Sequence, residues 1–278
     1  MTMVSLDLSP FIKPLYSVPT VVKVFGIDGN VVGEVTLPQQ FMEPVRRDLI
    51  LRAYISALTA RLQPKGTDPM AGKRTTAESF GVGLGLARVP RVKGSLWPTA
   101  RFAPNTVKGR RAHPPKVEKV LHERINKRER RKAIRSAIAA TAIRELVIAR
   151  GHRIDKVPQI PLVVSNDIER VGIMSDLKKI LTTLGVWDDV ERVAERIRIR
   201  SGKGKMRGRR YKEGKSVLIV TSTIDAPVIK VANNLPGVDA VYVGNLGVLH
   251  LAPGGVPGRL TLWTLGAIEE LRKGLFMG

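Results

Sequence analysis

The chain has 278 residues, 43% of them hydrophobic, no cysteine and a formal net charge of +23. That length supports a sizeable core in one or two domains, the apolar share excludes wholesale disorder, and the missing thiols exclude disulfides, thiolate catalysis and cysteine-ligated zinc. No apolar run approaches the roughly 20 residues that span a bilayer, and Met1 to Pro14 lacks the basic flank and apolar stretch of a signal peptide, so a cytoplasmic chain with no membrane contact is expected.

The charge sits in two blocks. Arg61 to Arg135 holds 20 Lys/Arg against 5 Asp/Glu, and Arg196 to Lys215 holds 10 against 1, which leaves the other 183 residues close to neutral. Cations crowded in this way repel one another until a polyanion neutralises them.

Val21 to Ile27 and Val31 to Leu37 are β-branched runs around Asp28-Gly29-Asn30, a hairpin signal. A helix is predicted from Pro44 to about Leu62, with Pro64 stopping it. Gln63 to Pro115 then loses all periodicity and carries seven glycines and seven prolines. A structureless stretch of that length is foreign to a compact domain, since loops beyond about 15 residues are usually functional or disordered. A free linker and a small separate domain are the plainer readings. However, Phe80, Leu84, Leu86, Val89, Val92, Leu96, Trp97 and Phe102 are unlike a solvated linker. Cations, glycines and apolar side chains in alternation suit an arm that stays extended until RNA folds around it.

Arg124 to Arg135 is the basic entry to one long helix predicted to run to Arg150, with Gly151 as its cap. From there the pattern is α/β. Strands are predicted at Pro161 to Ser165, Ser216 to Val220, Val238 to Val243 and Leu260 to Thr264. Helices are predicted at Ser175 to Leu184 with Ser175 as cap, Pro227 to Asn233 and Gly266 to Lys273, and a helix or helix-strand passage at Asp188 to Ile199. The fold class is α/β, a mainly parallel sheet covered by helices on its faces. Residues 1–62 and 116–278 form the globular domain, and 63–115 a long extended loop inserted in it.

Enzyme motifs fail on inspection. Gly66 to Lys73 has five residues between its glycines where a phosphate loop has four, and Arg74 stands where a magnesium-holding hydroxyl belongs. In Gly81-Val-Gly83-Leu-Gly85, Leu86 occupies the place of the third glycine of a dinucleotide fingerprint. His113, His122, His152 and His250 have no paired metal-ligand spacing. Asp167, Glu169, Asp176, Asp188 and Asp189 read as helix caps or solvated helix-surface acids. No catalytic residue, metal, cofactor or small-molecule substrate is expected.

The nucleic-acid signals are stronger. Ser201 to Lys212 places six cations among three glycines, which let backbone amides approach phosphate beside the side chains. Lys203, Lys205, Arg207, Arg209 and Arg210 are its candidate RNA contacts, with Tyr211 able to stack on a base. In the arm the candidates are Lys73, Arg74, Arg88, Arg91, Lys93, Arg101, Lys108, Arg110, Arg111 and His113, and on the helix entry Arg128 and Arg131. Folded RNA offers charged crevices that an extended arm can enter, whereas duplex DNA is read by a helix or ribbon in a groove. An RNA-processing enzyme with a basic docking arm is the alternative, and it lacks a visible acid/base or metal cluster.

Several ordered motifs carry a resemblance. They are Thr76-Ala-Glu-Ser79 followed by Gly83, Ala87 to Gly94, Gly151-His-Arg-Ile154 with Val157-Pro158, and Pro161 to Val164. Arg200 to Arg207, Leu251 to Gly255, Gly258-Arg259 and Trp263-Thr264 follow. In these the chain resembles the large-subunit ribosomal protein L4 family in its archaeal/eukaryotic form. The resemblance implies a globular α/β domain, a loop threaded into large-subunit rRNA, neighbouring ribosomal proteins as partners, and a ribosome-bound cytoplasmic location. It also implies a loop tip lining the nascent-peptide exit tunnel, with Leu96, Trp97 and Phe102 as tip residues here. Between Gly94 and Pro104 this chain is shorter than many relatives. It ends soon after Trp263, without the long basic extension of eukaryotic members, which fits an archaeal source.

Overall fold

The computed structural model describes residues 18–277, so the stretch read as no signal peptide lies outside the described residues. Thr59–Glu123 makes one compact unit, and the chain on either side of it makes the other.

In the larger unit, β1 (Val21–Phe25) and β2 (Val31–Thr36) form the expected hairpin, paired from Val21 opposite Thr36 to Phe25 opposite Val31. α1 (Arg47–Thr59) begins later than Pro44, because Ser136 Oγ holds the Arg46 N–H at 2.6 Å and fixes the chain ahead of the first turn. The single long helix expected up to Arg150 is two helices, α2 (Lys127–Thr141) and α3 (Arg144–Arg150), parted at Ile143, whose φ of −100° and ψ of 108° are extended. The sheet imposes the break. Ala133, Ala137 and Ile138 of α2 pack in the core on one face and Val147 of α3 in the core on the other, and one straight helix cannot serve both. Gly151 does end α3 in the left-handed conformation, at φ 94°.

The remaining elements are β3 (Leu162–Val164), α4 (Met174–Thr183), α5 (Trp187–Glu195), β4 (Arg198–Ile199), β5 (Tyr211–Lys212) and β6 (Leu218–Thr221). α6 (Pro227–Ala232), β7 (Asp239–Tyr242), α7 (Val248–Leu251), β8 (Thr261–Thr264) and α8 (Leu265–Arg272) close the chain. Ser175 is not the cap of α4. The helix starts at Met174 with Ile173 at the cap position, and the Ser175 hydroxyl lies 3.5 Å from its neighbour Asp176 Oδ1, two residues too far along to meet the free amides.

Among the described residues the main sheet has six strands in the order β2-β1-β3-β8-β6-β7, with β2 antiparallel and the rest parallel. It is the α/β, mostly parallel sheet read from the sequence. Strand alternation divides two cores. Val163, Leu218, Val220 and Trp263 face α1, α2, α7 and α8, while Leu162, Val164, Ile219 and Leu262 face α4, α5 and α6. Every residue of β3, β6 and β8 is buried, which is why β3 and β6 read as near-continuous apolar runs without alternation. Each such side chain contributes roughly 1.5–3 kcal/mol by leaving water. Trp263 also meets Phe41 edge-on, with ring centroids 5.2 Å apart.

Two acids expected at the surface are buried instead. Glu169 accepts hydrogen bonds from the Ser222 N–H (2.6 Å) and from the hydroxyls of Ser222 (3.0 Å), Thr223 (2.8 Å) and Thr264 (2.7 Å), tying together the ends of β6 and β8. Asp189 has 0% exposure and accepts from His152 Nδ1 (2.9 Å), the Arg153 N–H (2.9 Å), Arg192 Nε (2.8 Å) and Ser216 Oγ (2.8 Å). Apart from Arg192 on the same helix, their donors arrive from segments far away in sequence, so neither acid is a solvated helix residue.

Candidate nucleic-acid interface

The smaller unit, Thr59–Glu123, is two legs lying side by side and a knotted end. The Glu123 N–H donates 3.1 Å to Thr59 Oγ1 where the legs begin. Further along, the outgoing leg at Gly72 lies so close to the returning leg that an added Cβ would stand 2.5 Å from the Arg110 nitrogen. At the far end, β-bridges join Glu78 to Arg91 and Arg91 to Ala100. The chain therefore doubles back twice, around residues 79–90 and 92–99, and Arg91 lies between the two loops. Val92 is the one buried hydrophobic residue among those described in this unit. The segment is less an open extended strand than the sequence implies: glycines and turns let it fold against itself without helix or sheet.

Most of the arm cations face solvent. Lys73, Arg74, Arg88, Lys93, Lys108, Arg111 and the imidazole of His113 are exposed. Two of them meet acids of the same unit, Arg74 with Asp68 at 2.5 Å and Lys93 with Glu78 at 2.6 Å. Three others are turned inward in part. The Arg91 guanidinium donates to the carbonyls of Pro98 (2.7 Å) and Ala87 (3.4 Å), one in each loop. Arg101 donates to the Val107 carbonyl at 2.7 Å, and Arg110 lies 5.8 Å above the Phe102 ring. Lys73, Lys108, Arg110 and Arg111 come together at a cleft between the legs.

The residues named as the tip separate. Leu96 is 57% and Trp97 43% exposed, and both lie in the second loop, with Trp97 edge-on to Phe80 at 4.6 Å. Phe102 belongs to the returning leg, where its carbonyl accepts the Arg110 N–H at 3.4 Å. The neighbouring loop around Gly81, Gly83 and Gly85, with Leu84 56% exposed, is as much part of this end as Leu96. Its alternating glycines were the available signal.

The second basic block is a ribbon where the sequence reads a loop. β4 and β5 pair Arg198 with Lys212 and Ile199 with Tyr211, and a short 3-10 turn, Lys203–Met206, lies between them. Arg200 clips the ribbon, donating to the carbonyls of Arg209 (3.0 Å) and Tyr211 (3.5 Å). Lys203, Lys205, Arg207, Arg209 and Arg210 are all exposed, and among the described residues none of them is in an ion pair. Tyr211 is 59% exposed, with the Arg210 guanidinium 5.7 Å from its ring. Alternation of charged and apolar residues in Arg198-Ile199-Arg200 was the signal for this strand pair. On α2, Arg128 and Arg131 face solvent, while Arg135 is committed to Glu43 (2.7 Å) and the Phe276 carbonyl (2.9 Å).

Unpaired cations on a glycine-rich ribbon beside a stackable ring can grip a phosphate backbone and a base together. Among the described residues no group of three or more His, Asp or Glu is placed to hold a metal ion, and no helix is long and apolar enough to cross a membrane.

Residues 35–274 match the family described as Ribosomal protein L4/L1 family. The chain is similar to the large ribosomal subunit protein uL4 of Pyrobaculum aerophilum, 62% identical over 273 residues, covering 98% of this chain and 96% of that one. It is 53% identical over 250 residues to uL4 of Sulfurisphaera tokodaii, covering 90% and 93%. It is 52% identical over 253 residues to uL4 of Methanococcus aeolicus, covering 91% and 98%. These organisms are archaea. The chain belongs to the ribosomal protein L4/L1 family, as a structural protein and not an enzyme.

Proposed function

We propose that this chain is a structural constituent of the large ribosomal subunit that binds large-subunit rRNA through the arm, residues 63–115, and through the ribbon at residues 198–212. In this reading the arm enters rRNA, its far end with Leu96 and Trp97 helps to line the nascent-peptide exit tunnel, and neighbouring ribosomal proteins complete its surroundings in the cytoplasm. The observation that carries the reading is the set of exposed cations without acidic partners, above all Lys203, Lys205, Arg207, Arg209 and Arg210 on the ribbon. A surface of that kind is costly to leave unneutralised, and phosphate oxygens at close spacing are its natural complement.

Neutralising Arg207, Arg209 and Arg210 together with glutamine tests it. Affinity for large-subunit rRNA is expected to fall, and the slope of log affinity against log salt to flatten by about 0.7–0.9 for each phosphate that is no longer neutralised. An unchanged slope would leave the ribbon facing solvent and remove it from the interface.

A further inference from the structure

The legs of the arm enclose a cleft of about 290 Å³ between residues 67–73 and 108–114. Lys73 edges it from one leg and Lys108, Arg110 and Arg111 from the other. Among the described residues the side chains of Lys73, Lys108 and Arg111 have no hydrogen-bond or ion-pair partner. Asp68, the acid at the cleft, is taken by Arg74 at 2.5 Å, so its charge does not offset theirs. The lining between the cations is mixed, with Pro69, Ala112 and Pro114 giving apolar surface and Thr67 and Asp68 polar groups that can meet a base edge.

We propose that this cleft takes a single unpaired RNA nucleotide, its base set between the legs and the phosphates on either side of it held by the two rims; the inference rests on the rRNA-binding reading above. The volume lies just below the roughly 300–1,000 Å³ of small-molecule pockets, with room for one base. The apolar surface suits the faces of a base, and cations on both rims suit a backbone that passes in over one leg and out over the other. A free mononucleotide brings one phosphate group and would leave one rim unanswered. Sequence-specific RNA recognition draws on bases that are splayed out of loops and bulges, and an already unpaired base costs least to turn outward.

The test uses the full chain and two RNA hairpins that differ only in a one-nucleotide 2-aminopurine bulge. The bulged hairpin is expected to bind about tenfold tighter, the usual scale of one recognition position, with 2-aminopurine fluorescence rising as the base leaves the stack. Ala112→Trp, which fills the cleft without changing charge, is expected to abolish that preference while leaving affinity for the unbulged hairpin unchanged. Hydrogen-exchange protection of the Val92 and Arg101 amides, which are bonded to Thr99 and Pro90 outside the cleft, checks that the arm stays folded. A Lys73→Gln/Arg111→Gln pair gives an independent reading, as a loss of salt slope that is larger for the bulged RNA than for the unbulged one. Equal affinity for the two hairpins, or a preference that survives Ala112→Trp, would overturn the proposal. Saturable binding of adenosine monophosphate that Ala112→Trp removes would also overturn it, in favour of a free nucleotide. Failure to bind either RNA would sink the rRNA-binding reading itself, so the two failures are distinguishable.

Discussion

Arginine in a chain this basic does several jobs, and burial separates them. Arg259 is fully buried; its guanidinium donates to the carbonyls of Ser216 and His250, each at 2.8 Å, and pairs with Asp239 at 2.7 Å. Arg150 is pushed down to about 10 by burial and by the charges of Arg259 and Arg192, while donating to the Pro253 carbonyl at 2.7 Å. These residues hold loops together. Arg91 belongs with them: because both carbonyls it grips are protein carbonyls, Arg91→Gln is expected to lower rRNA affinity with no change in salt slope, whereas Arg88→Gln flattens it. A slope that falls equally in both variants would return Arg91 to the phosphate-binding set.

Burial by itself would raise the Asp189 carboxyl, but hydrogen bonds from His152 and Arg192 and the Arg153 N–H outweigh it and hold the group well below the usual carboxylate range. His152 is lowered from 6.5 chiefly by burial, against the pull of Asp189 and with further lowering by the charges of Arg192 and Arg150. A base with a depressed folded pKa gives its full stability above its unfolded value of about 6.5 and loses it as pH falls through the folded value. Thermal stability should therefore decline below pH 6.5. His152→Asn, whose amide can replace the Nδ1 donor, is expected to flatten the change in Tm between pH 7 and 5. Asp189→Asn should cost about 3–5 kcal/mol, the usual effect of removing one partner from a buried charged pair, measured by denaturant unfolding.

At the scale of elements, close approach matters more than propensity. Gly258 joins the loop after α7 to β8 at φ 90°, and an added Cβ would stand 2.5 Å from the Leu146 carbonyl oxygen of α3. Gly258→Ala therefore strains the backbone, at about 1–3 kcal/mol from the left-handed conformation alone, and also pushes α3 off the strand. Equilibrium unfolding of the variant measures it, and a loss below a few tenths of a kcal/mol would show that α3 moves freely. Arg200 supplies the side-chain clip of the ribbon: Arg200→Ala frees the carbonyls of Arg209 and Tyr211, leaving two strands that are each two residues long and the backbone bonds between them. Its amides are expected to exchange faster while the main sheet is unaffected.

At the scale of the molecule, the two units differ in what holds them. The larger one has two cores on either side of a sheet. The smaller has Val92, one aromatic pair and scattered turns, so it opens at small free-energy cost. Limited proteolysis of the RNA-free protein should cut first within residues 63–115, and binding rRNA should suppress those cuts. Equal resistance of both units in the free protein would count against a role for RNA in ordering the arm.

Much of this was legible in the sequence because it is local. Apolar runs marked β3 and β6, Asp28-Gly29-Asn30 marked the hairpin, Gly151 marked the end of α3, and unmatched charge marked both basic blocks. Tertiary structure decided whatever depended on residues distant in the chain. It broke the helix at Ile143 because two faces of a sheet had to be served, and it buried Glu169 and Asp189 because donors from distant segments converge on them. It turned a glycine-rich loop into a clipped ribbon, and it divided the arm's arginines between solvent and protein carbonyls. Charge and periodicity are properties of single residues and short windows; which cation finds a carbonyl and which is left for phosphate is settled only when the legs of the chain lie side by side.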